Sequence, residues 1–213
     1  AGSPVVYEDL VIIQVGGSDA CLVAFDRKTG EERWRSLEDR AGYSTPIVVQ
    51  QAGRDLMITW TGDRVVGLDP RSGEPHWSYP FPPKNMPLTI ATPVKNGDLL
   101  FVSAFYEGSL MLRLLPESLA VEKVWQRAGP SEQKTDALHA LMSTPLIVND
   151  YIYGIDSHGE LLIIAELRAR LAVLDRDDRL VTYLGANLEV CDGDGWPNVK
   201  NEQGESVRPP LLE

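Results

Sequence analysis

Short runs of alternating apolar and polar or small residues, each closed by a turn signal, dominate the chain from its start to about residue 127. Residues 5–6, 10–15, 21–26 and 32–36 predict four strands, with Glu8-Asp9 and Gly16-Gly17-Ser18 as hairpin turns. Runs at 47–50, 56–60, 64–69 and 75–79 predict a second set, and 94, 99–105, 109–115 and 121–126 a third. Each set is one antiparallel four-stranded sheet. No stretch shows sustained helical periodicity, although Asp136 is placed to cap one helical turn over 136–142.

The sets are copies of one unit. Residues 23–34 read V-A-F-D-R-K-T-G-E-E-R-W, and 66–77 read V-G-L-D-P-R-S-G-E-P-H-W, 43 positions later. Val23 and Phe25, like Val66 and Leu68, alternate as a half-buried strand, and Asp26 or Asp69 opens a turn through its side chain. Gly30 and Gly73 supply the positive φ that ends such a turn. Trp34 and Trp77 begin the next strand and are large enough to wedge one sheet against its neighbour. In the third copy Leu115-Pro116-Glu117-Ser118-Leu119 replaces the Asp turn, and Trp125 arrives two residues late.

A second marker has the same period. Ser3-Pro4, Thr45-Pro46, Thr92-Pro93 and Thr144-Pro145 each precede a strand, at spacings of 42, 47 and 52. Proline fixes φ and has no N–H to donate, which suits the first residue of a strand near the axis of a radial assembly. From proline to tryptophan the first three repeats measure 30, 31 and 32 positions. Between repeats, 80–88 holds four prolines and predicts a stiff surface loop, and 128–142 is a second long connector. Long loops on a regular scaffold are where binding sites usually lie.

These residues resemble the quinoprotein-type β-propeller repeat, that of PQQ-dependent dehydrogenases and their cofactor-free relatives. Ala24, Asp26, Thr29, Gly30 and Trp34 match its motif, as do Gly67, Asp69, Ser72, Gly73 and Trp77. The likeness covers roughly residues 3 to 160 and implies radial blades with tryptophans docked between neighbours. The expected fold is all-β: a partial β-propeller of about four four-stranded antiparallel blades, near 3–40, 43–80, 90–127 and 143–185. The fourth repeat starts in pattern but loses it after Leu161. There, 170–185 is similar to the closing hairpin of NHL-type repeats, with 171–174 and 180–183 as expected outer strands of the fourth blade. Residues 1–190 thus form the blades, and 191–213 an irregular tail.

Composition narrows the functional classes. The chain has 213 residues, 43% apolar and 24% charged, as in an ordinary globular domain, and its Gly 18 and Pro 15 fit many turns. A net charge of -11 leaves no broad basic surface, which argues against nucleic acid or an anionic membrane as partner. No run approaches the roughly 18 apolar residues of a membrane helix. The N-terminus Ala1-Gly2-Ser3-Pro4 lacks an initiator Met and a signal peptide and reads as processed or trimmed. The C-terminal end is compatible with a propeller cut short, an unusual domain boundary or a fusion.

Candidate chemistry is sparse. Quinoprotein catalysis, as the resemblance implies it, requires adjacent cysteines, a Ca²⁺ held by acidic and amide oxygens, and an Asp base. Cys21 and Cys191 are isolated, which favours two separate thiols over a disulfide. Asp26 and Asp69 are accounted for by the turns, and Trp60, the residue available to stack on a quinone, fits a core strand better. Asp192-Gly193-Asp194-Gly195 lacks the remaining ligands of a calcium loop and reads as a turn. His76, His139 and His158 lie in different repeats, and only His139, in a connector beside Met142, has a claim to function. The expected site residues are therefore structural: Asp26, Gly30, Trp34, Asp69, Gly73, Trp77 and Trp125, with no catalytic or metal site.

The expected function is a non-catalytic scaffold whose loops bind a protein or peptide without a cofactor. The resemblance implies a periplasmic or extracellular location. The alternatives are a remnant of a PQQ- and Ca²⁺-dependent oxidoreductase, or a purely structural fragment. Self-association through open blade edges, or only marginal folding of the isolated chain, is expected as well.

Overall fold

The computed structural model describes residues 2–132, 135, 137–148 and 151–156, and the backbone of strands at 161–165, 170–171, 199–200 and 206–207. Blade 1 comprises β1 (Val5–Tyr7), β2 (Leu10–Gln14), β3 (Leu22–Asp26) and β4 (Glu32–Ser36). Blade 2 comprises β5 (Ile47–Gln51), β6 (Arg54–Trp60), β7 (Arg64–Leu68) and β8 (Pro75–Pro80). Blade 3 holds β9 (Val94–Asn96), β10 (Leu99–Ala104), β11 (Gly108–Leu114) and β12 (Val121–Arg127). Blade 4 holds β13 (Leu146–Val148), β14 (Tyr151–Ile155), β15 (Leu161–Ala165) and β16 (Arg170–Leu171). Every blade is antiparallel in simple sequential order. The result is the expected all-β propeller arc.

Strand alternation decides which blade each residue meets. Leu56, Ile58 and Trp60 point toward blade 3 and join Leu100, Val102, Leu110, Leu112 and Leu114 in one core. Their neighbour Met57 points the other way and packs with Leu10, Ile12, Leu22 and Ala24 of blade 1. A third core joins Phe101 and Met111 of blade 3 to Ile152 of blade 4. The blades are thus glued face to face by apolar burial.

Hydrogen bonds at the inner strands run from blade to blade as well. The Ser3 amide donates to Thr45 Oγ1 at 3.3 Å, and the Thr92 amide to Thr144 Oγ1 at 3.2 Å. The Ser/Thr-Pro marker therefore carries a bond to the next repeat in addition to starting a strand.

The two Asp turns are alike atom for atom. Asp26 Oδ1 accepts the Lys28 and Thr29 amides at 2.8 and 2.9 Å, and Asp69 Oδ1 those of Arg71 and Ser72 at 2.7 and 3.2 Å. Gly30 and Gly73 both have φ 74, and each donates its N–H to the carbonyl of its Asp at 2.8 Å. In blade 3 the Leu115 amide donates to the Ala120 carbonyl at 3.0 Å, so the turn closes through its backbone without the carboxylate. Trp34, Trp77 and Trp125 pair across the strands with Ala24, Gly67 and Met111, and in all three blades a register shift follows that pair. The residue skipped is Arg33, His76 or Val124, a β-bulge just before each tryptophan.

Four expectations are corrected. Residues 137–142 form no helical turn; Ala137, Leu138 and Ala140 are buried in the seam between blades 3 and 4, where tertiary packing outweighs the capping signal. The proline-rich connector is only partly a surface loop, because Phe81 is 2% exposed and stacks on Trp60 with centroids 5.8 Å apart. In blade 4 the third strand is Leu161–Ala165, pairing with β14, and the fourth begins at Arg170; the expected strand at 180–183 lies outside the described residues. The tail, expected to be irregular, contains a two-stranded ribbon of β17 (Val199–Lys200) and β18 (Ser206–Val207).

Candidate protein-docking face

Antiparallel order sends the loops to two ends of the blades. The β1–β2 and β3–β4 turns and their equivalents lie at the turn end. The β2–β3 loops and the inter-blade connectors 37–46, 81–93 and 128–145 lie at the connector end.

At the turn end the groups are largely satisfied among themselves. Tyr7 Oη donates to Asp55 Oδ2 at 2.6 Å, and burial and that carboxylate push the phenol up to about 12. Arg71 pairs with Glu8 at 2.5 Å and lies over the Tyr7 ring, 5.2 Å from its centroid. The Thr29 and Lys28 amides hold the Asp26 carboxyl below the usual carboxylate range. A cleft of about 240 Å³ between blades 2 and 3 is lined by Gln50, Gln51, Lys95, Asp98, Leu114 and Pro116, among others.

Each sequence-derived tryptophan meets the following blade. A Cβ at Gly73 would stand 2.5 Å from Trp34 Cε3, so the absence of a side chain in the second turn seats the first blade's indole. Trp77 lies across Gly67 so closely that any Cβ there would clash with the indole. Its Nε1 donates to Gln51 Oε1 at 3.0 Å, and Gln51 Nε2 reaches the carbonyls of Leu115, Ser118 and Ala120 in blade 3. Trp125 packs against Phe101 at 5.9 Å on the blade 4 side. Buried Gln51 thus joins blades 2 and 3, and buried Gln14 joins blade 1 to the first connector and β6, donating Nε2 to the Ser44 and Trp60 carbonyls at 3.2 and 3.3 Å and accepting the Gly42 amide at 2.8 Å. Their signal was a polar residue ending an apolar strand, as in L-V-I-I-Q at 10–14.

The connector end is pinned in a repeating way. Asp39 and Arg40 of the first connector pair with Arg64, the first residue of β7, and Asp63 on the β6–β7 loop, at 2.8 and 2.5 Å. Arg40 holds the Asp63 carboxyl below its usual range. In the second connector the Lys84 amide donates to Glu107 Oε1 at 2.7 Å, on the β10–β11 turn. The third inserts Leu138, whose carbonyl accepts both Ser103 Oγ and Ser109 Oγ at 2.7 and 2.6 Å, while the Ala140 amide donates to Ser103 Oγ. His139 is 1% exposed and hydrogen-bonded on both nitrogens, a buried anchor of its connector.

Apolar side chains nevertheless project from this pinned surface. Of the exposed large hydrophobic residues, Val15, Tyr43, Met86, Met142 and Ile155 all lie at the connector end, Tyr43 at 50%, Met86 at 59% and Met142 at 74% exposure. Val6, Val48 and Leu146 lie on the innermost strands.

The residues that would serve a quinone do not fit one. Trp60 is wholly buried against Phe81, and Cys21 is buried with its thiol pushed up to about 12 by desolvation. Among the described residues no three His, Cys, Asp or Glu side chains converge on a metal position. Cys191, His158 and residues 192–195 lie outside the described residues.

Repeated four-stranded blades glued by inter-blade cores and closed by Asp-Gly turns define a β-propeller of the PQQ-repeat type. The chain belongs to the family described as outer membrane protein assembly factor BamB, whose model matches residues 1–181. Among solved structures it is similar to BamB from Moraxella catarrhalis, at TM-score 0.60 and 12% identity, covering 99% of this chain and 63% of that one. The chain therefore spans less than two thirds of that protein. It is also similar to the computationally designed Ika8 protein, at TM-score 0.50 and 12% identity, covering 84% of this chain and 50% of that one. A europium-containing methanol dehydrogenase aligns at TM-score 0.46 and 12% identity, over 85% of this chain and 44% of its own. None of the curated proteins matches the chain in sequence.

Proposed function

We propose that the protein is a non-catalytic, periplasmic scaffold whose connector end docks another protein, a component of outer-membrane protein assembly. The observation that carries this reading is the gathering of Val15, Tyr43, Met86, Met142 and Ile155 at one end of the blades. Exposed apolar groups on a fixed polar frame favour a protein surface as partner. Membership of the BamB family supports this class of partner. Among the described residues no helix is long and apolar enough to cross a membrane.

Capture of the outer-membrane barrel-assembly machinery from solubilised envelopes tests the reading. The wild-type chain retains the machinery, and the triple variant Tyr43→Asp, Met86→Asp, Met142→Asp loses it while melting normally. Equal retention by both would remove the connector end from consideration. Dye-linked alcohol or sugar oxidation above the no-quinone blank, after addition of PQQ and Ca²⁺, would overturn the non-catalytic part.

A further inference from the structure

At the turn end, the first two seams between blades differ in one side chain. Tyr7, Val49 and Asn96 are equivalent, each three residues past the proline that starts its blade. In the register they stand opposite Leu10, Leu56 and Leu99. Asp9, Asp55 and Asp98 immediately precede those three leucines. Between blades 1 and 2, the Tyr7 ring packs on the inter-blade core and its hydroxyl donates to Asp55 Oδ2 of blade 2 at 2.6 Å. Arg71 of blade 2 lies over the ring. Between blades 2 and 3 the acceptor is present and the ring is missing. Val49, which stands where Tyr7 does, ends in the inter-blade core, while Asp98, the counterpart of Asp55, lines the cleft of about 240 Å³.

The walls of the cleft suit the missing group. Leu114 and Pro116 offer apolar surface, and Lys95, on the face of β9 that it shares with the core residue Leu100, brings a cation to the site as Arg71 does at Tyr7. The Asp98 carboxylate is half exposed and takes Arg113 at 3.1 Å, which leaves it room for another donor. Asp55 is used in the same way, since it accepts Gln50 Nε2 beside Tyr7. The remaining wall is the end of the β5–β6 hairpin, where Ala52 and Gly53 make a two-residue turn at φ 48 and 73. Gln51 fixes that wall through its three bonds to blade 3 carbonyls. The cleft is smaller than the roughly 300–1,000 Å³ of small-molecule sites, a size for one side chain. Gly53 and Gly97, one from each blade, have no atom within 4 Å of where a Cβ would sit, so a main chain has room to approach both turns.

We propose that the cleft between blades 2 and 3 is a pocket for a tyrosine side chain of a partner polypeptide, whose hydroxyl donates to Asp98 as that of Tyr7 donates to Asp55. The partner's ring takes the place that Val49 leaves empty, against Leu114 and Pro116. This is a second site, at the opposite end of the blades from the docking face, and it does not depend on that reading.

Titration of the full chain with acetyl-Gly-Tyr-Gly-amide, followed through backbone amide shifts by NMR, tests the pocket. Saturable shifts are expected at Gly53, Lys95 and Gly97, and the same peptide with Phe in place of Tyr should bind about tenfold more weakly for want of the hydroxyl. Asp98→Ala should bring the two peptides level, and Val49→Tyr, which supplies the ring from within the chain, should abolish binding. Asp98 is half exposed, so its variant reports even where the Val49 variant fails to fold. No saturable shift at these amides, equal affinity of the two peptides for the wild type, or a preference for Tyr that survives Asp98→Ala would overturn the proposal. Binding of p-cresol as tight as that of the tyrosine peptide would overturn the polypeptide as occupant. Failure of the docking reading shows separately, in the capture experiment.

Discussion

Trp77 illustrates how one side chain can hold two blades. It is 8% exposed, lies over Gly67, and hands its N–H to the Gln51 amide that reaches blade 3. Trp77→Ala is expected to destabilise by about 3–5 kcal/mol, and Trp34→Ala, half-buried and with its Nε1 unpaired, by an amount at the lower end of that range. Denaturant midpoints decide this, with Trp196→Ala as the small-effect comparison because no repeat positions that residue. Equal losses in all three would contradict the inter-blade role. Cys21 gives a second residue-scale expectation. Its buried thiol, pushed up to about 12, donates to the Arg40 carbonyl, so alkylation at neutral pH should track unfolding. Rapid labelling at Cys21 in the folded chain, read separately from Cys191, would show that the first connector opens on its own.

In blades 1 and 2, the Asp turns and tryptophans were legible because they obey local rules: a carboxylate that caps its own turn, a glycine at positive φ, a large ring at fixed distance. The bulges, Gln51 and the Ser103–Ser109 pair were not, since their meaning depends on a neighbouring blade that no local pattern describes. The same limit explains 136–142, where a capping residue before apolar residues looked helical but burial between blades decided the conformation. The Asp26 turn also has a pH signature. Its folded pKa is lowered, so its contribution is present above the unfolded carboxylate pKa and is lost as pH falls through the folded value. Asp26→Asn should therefore unfold at a lower urea midpoint near neutrality, with the gap to wild type closing in strong acid. A gap independent of pH would mean that the carboxylate charge contributes nothing.

The arc as a whole has two unlike ends. In blade 2, Met57, Val66 and Leu68 are fully buried under blade 1. The matching face of blade 1 leaves Val6 61% exposed and Val11, Ile13 and Phe25 half-buried. At the far end Leu146 is 52% exposed. Two complementary but different apolar faces make a heterologous contact, which propagates rather than closing in pairs. The 213 residues alone are expected to self-associate head to tail, with scattering mass rising across a concentration series. A monomer with one cooperative melt at every concentration would show that the end faces need no cover.

The bulge before each tryptophan bears on a different hazard, that of strand-to-strand aggregation. The outermost strands β4, β8 and β12 present backbone N–H and C=O groups that a straight strand would offer as a template to any passing chain. The extra residue at Arg33, His76 or Val124 shifts the register within each strand, near its start in β4 and β8 and midway in β12, so an incoming strand in step with one side of the bulge is out of step with the other. β8 is also bounded by Pro75 and Pro80, which have no N–H to offer at either end of the strand. For the scaffold role proposed above, such rims deny a passing strand a straight edge on which to pair.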